Sequence, residues 1–324
     1  MNRKTSAMVG AGLLAAIAVF LAFVILYVPV LGMFATFIWA LPIIISGCRY
    51  GLKWSILTLV VASALIAILM TPVNALFLGG VFGVFGLVLG ECLHRDVTPT
   101  KIMTYGTLAA VLALVINFSL ALLVVGVDPI KMTMESFQNA QTQAPELYRQ
   151  LGFMTEEQIQ SSLQSYQEMM KQLQIVIYGG MVVFAAILVY VNYLLAKKIL
   201  NRIGMTFKPF PAFTTWIVPE WILWPFCASL LGVTYCSSMG HMDSLLYKVC
   251  TNLQFICMLA LELQGMIVIY WYVREKNKPS WWASAAWVTL FIPITQFIVM
   301  YLGAFDIIMD FRKIRPASRF RRNK

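Results

Sequence analysis

Apolar positions along this chain run together instead of alternating. They cover about 8–29, 32–47, 54–70, 73–92, 102–126, 175–196, 217–238 and 247–273, with a ninth stretch at about 281–309. Most of these runs approach or exceed the ~20 residues that an α-helix needs to cross a bilayer. Strands of a membrane barrel would alternate between lipid-facing and lumen-facing residues, and these runs do not. The pattern predicts an all-α fold: a polytopic transmembrane helical bundle of about eight spans plus a C-terminal apolar segment.

The polar breaks carry the topology. Cations gather at Arg3/Lys4, Arg49/Lys53, Arg95/Lys101, Lys197/Lys198/Arg202/Lys208 and Arg274/Lys276/Lys278. All five groups fall on one side if the spans alternate from an inside N-terminus, as the positive-inside rule asks. The ending FRKIRPASRFRRNK holds seven Lys/Arg and no acid, so it is expected inside as well. A single crossing by 281–309 would put it outside. Either Pro293 divides that stretch into two half-length helices that enter and return, or an earlier pair of spans is miscounted; re-entrant backbone is tolerated where protein buries it.

One sizeable soluble segment, 128–174, is expected outside. Thr155 and Gln158 form a capping-box pattern. Ile159, Leu163, Tyr166, Met170 and Leu173 follow at helical spacing and run into the sixth span. That amphipathic helix either covers an external pocket or packs on the membrane surface or its neighbours. The predicted organisation is a six-helix membrane unit over 1–200 with the insertion at 128–174, a C-terminal membrane helical unit over 201–311, and a basic cytoplasmic tail over 312–324.

Composition sharpens the class. The 324 residues are 60% hydrophobic and 12% charged, against about 25% charged in soluble domains, and the mean hydropathy is +0.79. The basic, apolar start looks like a signal peptide, but its apolar part is too long and lacks a small-x-small cleavage site, so it reads as a retained first helix. The formal charge of +10 sits between spans and in the tail, where it suits the lipid bilayer and its anionic lipids; nucleic acid is not an expected partner.

Chemistry-bearing motifs are missing. There is no His-Glu-x-x-His, no Gly-x-Ser-x-Gly and no phosphate loop with Lys-Ser/Thr. The six cysteines form no Cys-x-x-Cys, and His94 and His241 make no metal-ligand spacing. No catalytic residue, metal or cofactor is expected, and the chain is not expected to be an enzyme.

The sharpest candidate is Glu262, near the middle of the run 249–273. A carboxylate there costs about 2.5–3.5 kcal/mol on insertion scales, so it should face the bundle interior, be protonated or find a partner. It is a ligand-binding or proton-linked candidate, or a structural hydrogen-bonding group. Asn117 and Asn192 are the other candidate ligand-binding residues, with Asn252 and Gln264 also intramembrane; the bland reading is interhelical hydrogen bonding. Gly79, Gly83, Gly86 and Gly90 share one face at 100° per residue and read as a close-packing ridge. Asp306 and Asp310 lie just before Phe311-Arg312-Lys313, with Asp306 and Arg312 among the motif residues, and structural pairing of the acids with those cations or with helix ends is the default.

The chain resembles the YybS-like family of bacterial predicted integral membrane proteins. The likeness rests on Leu41-Pro42 through Arg49-Tyr50-Gly51-Leu52-Lys53, on the glycine-rich fourth span, on Leu263-Gln264-Gly265 and on Leu302–Lys313. Pro42, Arg49, Gly51 and Lys53 serve here as topology and motif residues. The first six spans also look distantly like the substrate-binding S component of energy-coupling-factor vitamin transporters. That resemblance implies an external substrate pocket and a coupling-type membrane subunit held by small residues on the first helix, a spacing that Ala7, Ala11 and Ala15 match. The C-terminal unit and the long insertion depart from S components. Together these point to the bacterial cytoplasmic membrane and to a transporter-like binder of a small molecule. The other reading is a non-transporting scaffold or regulator working through envelope proteins.

Overall fold

The computed structural model describes residues 3–126, 128, 131–132, 135, 155–279, 281–282, 284, 287 and 292–314. Residues 136–154 of the expected insertion, much of the first half of the 281–309 stretch and the tail from Arg315 onward lie outside the described residues. Among the described residues the regular structure is entirely helical. The chain divides into two compact units, one of 1–170 with 181–209 and one of 171–180 with 210–324.

The first unit contains α1 (Arg3–Tyr27), α2 (Pro29–Ile38), α3 (Leu41–Tyr50), α4 (Leu52–Leu69), α5 (Pro72–Phe77), α6 (Val84–His94), α7 (Pro99–Leu120) and most of α8 (Glu156–Arg202). Proline stands in the first turn of α2, α3, α5 and α7. Its missing N–H is harmless there and its φ is already helical. The expected second span is bent at Trp39–Ala40, just before Pro42, which cannot donate within the helix. The bend is pinned where Trp39 Nε1 donates to Ala18 O at 3.0 Å.

Polar side chains in this unit tie helices together. Ser46 and Thr58 hydroxyls lie 2.8 Å apart, Ser55 donates to Ile43 O at 2.8 Å, and Thr58 reaches Ala11 O at 3.4 Å. The ridge Ala7, Ala11, Ala15 is buried inside the unit, where α1 packs on α3 and α4. Because their own chain covers these alanines, they offer no open face for a coupling-type subunit.

The glycine ridge is split. Leu78–Gly83 is a π-helical turn between α5 and α6, and its wider winding breaks the 100° spacing. Gly79 and Gly83 therefore meet Ser63 and Leu59 of α4, whereas Gly86 and Gly90 meet Ala40, Ile43 and Ile44 around α3. Packing uses all four.

The cation-bearing turns of this unit meet at one end. Gly51, with φ +92°, closes α3 by donating its N–H to Gly47 O at 2.8 Å. Arg49 lies over the Tyr50 ring, and His94 Nδ1 is 2.8 Å from Cys48 O. Lys208 Nζ holds Asp96 through its carboxylate at 2.9 Å and its carbonyl at 2.8 Å. Lys53 is exposed on the same turn as Arg49.

α8 begins with the expected capping box: Thr155 Oγ1 accepts from Gln158 N at 3.4 Å, and Gln158 Oε1 accepts from Thr155 N at 2.9 Å. Its 47 residues make a rod of about 70 Å. Leu163, Tyr166, Met170 and Leu173 are half-buried along it; the Ile159 side chain lies outside the described residues.

The second unit holds residues 171–180 of α8, then α9 (Leu223–Ser238), α10 (Leu245–Glu275) and α11 (Pro293–Met309). The expected seventh span, 217–238, is α-helical only over Leu223–Ser238. Trp216 and Pro219 are extended and a short 3-10 turn fills 220–222, because prolines 209, 211 and 219 withhold the N–H groups a longer helix requires. Seven helices among the described residues are long and apolar enough to cross a membrane, counting Pro29–Tyr50 and Pro72–His94 as single spans; Ile294–Met309 is shorter.

Candidate functional site

α10 and α11 touch through glycine. A Cβ on Gly265 would overlap Val299 O, and one on Gly303 would overlap Leu261 O. Small residues let membrane helices approach to backbone contact. Beside this contact Gln264 of α10 and Asp306 of α11 meet in a buried polar cluster.

Gln264, fully buried, donates from Nε2 to Asp306 Oδ2 at 2.5 Å and accepts the Val218 N–H at 2.9 Å. Arg312 donates from Nε to the same Asp306 oxygen at 3.2 Å, its Nη2 also lies 3.2 Å away, and Nη1 donates to Thr214 O at 2.7 Å. The Asp306 and Arg312 side chains are 0% and 1% exposed. Arg312 can turn back into the unit because Asp310 adopts a left-handed conformation, φ +51°, at the end of α11. Asp310 Oδ1 then accepts the Ile314 N–H at 3.1 Å. Of the pairings open in the sequence, Asp306 takes Arg312 and Asp310 takes backbone at the helix end; Gln264 and the 214–218 backbone complete the cluster.

Glu262 lies on α10 at 4% exposure. The Gln296 side chain of α11 lies beside its carboxyl. Its Oε1, like Asp306 Oδ1, has no hydrogen-bond partner among the described residues. A buried, incompletely satisfied carboxyl is costly, and within a span it marks a group that faces protein rather than lipid.

Asn117 and Asn192 belong to the first unit and do not join this cluster. Asn117 Nδ2 donates to Leu76 O at 2.9 Å. Asn192 Nδ2 donates to Phe37 O at 2.6 Å and Leu188 O at 2.9 Å. Asn252 does the same work in the second unit, donating to Ile175 O at 2.6 Å and accepting the Gly179 N–H at 2.6 Å. Sequence reasoning missed Gln296 and Thr214. Gln296 was findable as a lone amide within the ninth apolar stretch; Thr214 contributes a backbone carbonyl, which leaves no trace in composition.

Among the described residues no group of three or more His, Cys, Asp or Glu is placed to hold a metal ion. What the cluster offers is a fixed cation and a carboxylate neutralised by it; Glu262 is a separate buried carboxyl on the facing helix.

Comparison with known proteins then fixes the family. Residues 16–307 match the family described as "Predicted membrane protein (DUF2232)". The chain belongs to this family. Among curated proteins, "Uncharacterized protein YybS" of Bacillus subtilis (strain 168) is 22% identical over 306 residues, covering 94% of this chain and 97% of that protein. No solved structure matches the chain. The DUF2232 match ends at residue 307, so it includes Glu262, Gln264 and Asp306 and stops short of Arg312. The chain is thus a YybS-like multi-pass helical membrane protein.

Proposed function

We propose that this chain is a non-enzymatic, transporter-like protein of the bacterial cytoplasmic membrane that binds a small molecule, with its N- and C-termini inside and Glu262 as the ligand-anchoring or proton-exchanging group. The observation that carries this reading is the position of Glu262: buried within a membrane-length helix, beside Gln296, and with one oxygen unpartnered among the described residues. Carboxyls held in this way inside a bundle serve substrate or proton paths more often than packing. The test is a thermal-shift screen of vitamins and small metabolites on purified protein in detergent. At least one compound should raise the melting temperature of the wild type and fail to raise that of Glu262→Gln. No hit, together with no bound small molecule by native mass spectrometry, overturns the proposal.

A second reading has its own support. In the first unit Ser55, Thr58, Asn117 and Asn192 all bond to backbone of their own chain, as in a bundle built to hold its shape. This favours a scaffold or regulator acting through envelope proteins. Crosslinking in cells that recovers a stable partner without an ATPase or coupling subunit selects it; an ATPase partner selects the transporter reading.

A further inference from the structure

The second unit contains a recess of about 550 Å³ beside the C-terminal end of α10, within the range of small-molecule sites. Phe213, Thr214, Tyr270, Arg274, Asn277 and Lys278 line it. Phe213 is wedged between Trp216 and Tyr270, with ring centroids 5.3 and 5.2 Å away. Thr214 is held in place because its carbonyl accepts Arg312 of the buried cluster. The aromatic lining of the recess is therefore rigid.

The backbone that carries the cations is also fixed. Asn277, with φ +46°, ends α10 in a left-handed turn: Asn277 N donates to Arg274 O at 3.3 Å and Lys278 N to Val273 O at 2.9 Å. This closure satisfies the last carbonyls from the backbone, so the Arg274 and Lys278 side chains are not needed there. Among the described residues neither makes an ion pair, and both are exposed at the recess. The neighbouring Glu275 is likewise unpaired among the described residues. The helix end contributes only about half a negative charge, which two full cations outweigh. Neutral donors stand beside them. The Tyr270 hydroxyl accepts from Trp287 Nε1 at 2.6 Å, which leaves its own proton to donate, and the Thr214 hydroxyl and Asn277 amide add two more.

We propose that this recess binds an anionic phosphate group, the head of a membrane phospholipid or a free phosphate compound. Two cations and three neutral donors match a group with several acceptor oxygens and one to two negative charges. The aromatic wall suits the apolar part of an amphiphile at the membrane boundary. The site does not depend on Glu262 and stands whether or not the chain is a transporter.

The test uses the full chain in detergent micelles carrying equal phosphatidylglycerol and phosphatidylcholine, with retained lipid read by native mass spectrometry. A second arm measures the melting temperature in inorganic phosphate against chloride. Wild type should retain phosphatidylglycerol about tenfold over phosphatidylcholine. Arg274→Gln/Lys278→Gln should lose that preference, Tyr270→Phe should weaken it several-fold, and the charge-matched control Arg49→Gln/Lys53→Gln should keep it. A phosphate-dependent shift that vanishes in Arg274→Gln/Lys278→Gln, without lipid preference, assigns the site to a free phosphate compound. If that double variant behaves as wild type in both arms, or if the control loses the preference equally, the proposal is overturned.

Discussion

Asp306 is the residue whose neighbours were hardest to foresee. Sequence proximity offers the cations of Phe311-Arg312-Lys313 or the helix end as partners, and Arg312 is the one that pairs. Gln264 stands 42 positions away and looks like any membrane amide until Gly265 and Gly303 bring their helices together. Truncating one member of a buried pair leaves the other charge exposed to a low-dielectric interior, at a cost of about 3–5 kcal/mol. Arg312→Met should therefore destabilise the protein by that order in a denaturant titration in micelles. Asp306→Leu/Arg312→Met should recover most of the loss, since replacing both partners removes the uncompensated charge. A double variant no better than the single one would mean that the pair is not the source of the effect. Glu262 was legible because a single acid interrupts an apolar run of membrane length; its partner was not, because nothing in the sequence says which amide on another helix will face it.

At the level of the elements, apolar run length located most spans, and proline located many of their beginnings. What it missed are local breaks in the regular helix. The π turn at Leu78–Gly83 divides a glycine stripe between two neighbours, and Trp39–Ala40 bends a span that reads as continuous. Gly303 and Gly180 give a clean contrast in packing. A side chain on Gly303 meets backbone, whereas one on Gly180 meets open space. Gly303→Val should cost about 1–3 kcal/mol or more and lower the micelle melting temperature, while Gly180→Ala should leave it unchanged or slightly raised. The capping box is testable locally. Thr155→Ala should weaken the first turn of α8 by about 1 kcal/mol, visible as faster amide exchange at residues 156–159 with exchange near Asn192 unaffected.

For the whole molecule, charge distribution was the most informative sequence feature. The structure brings the turns bearing Arg49, Arg95 and Lys208 to one end of the first unit through His94–Cys48 and Lys208–Asp96 contacts. That is the arrangement expected if all of them face one aqueous phase. In a cysteine-free background, Lys53→Cys and Asn323→Cys should both resist an impermeant thiol reagent in intact cells and label after permeabilisation. Labelling of Asn323→Cys alone in intact cells would place the tail on the opposite side from the turn. The division of labour between the units was not legible. Charge patterning reports which ends share a phase, but not which intramembrane polar groups are tied to their own backbone and which gather into a cluster.

The two ends of the Gln264 amide have one further consequence. Its oxygen receives an N–H while its nitrogen faces a carboxylate, so the side chain is keyed and fits in only one chemical sense. Glutamate has nearly the same outline, yet it would set an acid against Asp306 and force one of the two to take up a proton. Leucine lacks both hydrogen bonds but introduces no such conflict. At this position the usual scale of residue similarity should invert, with the near-isostere less tolerated than the hydrocarbon.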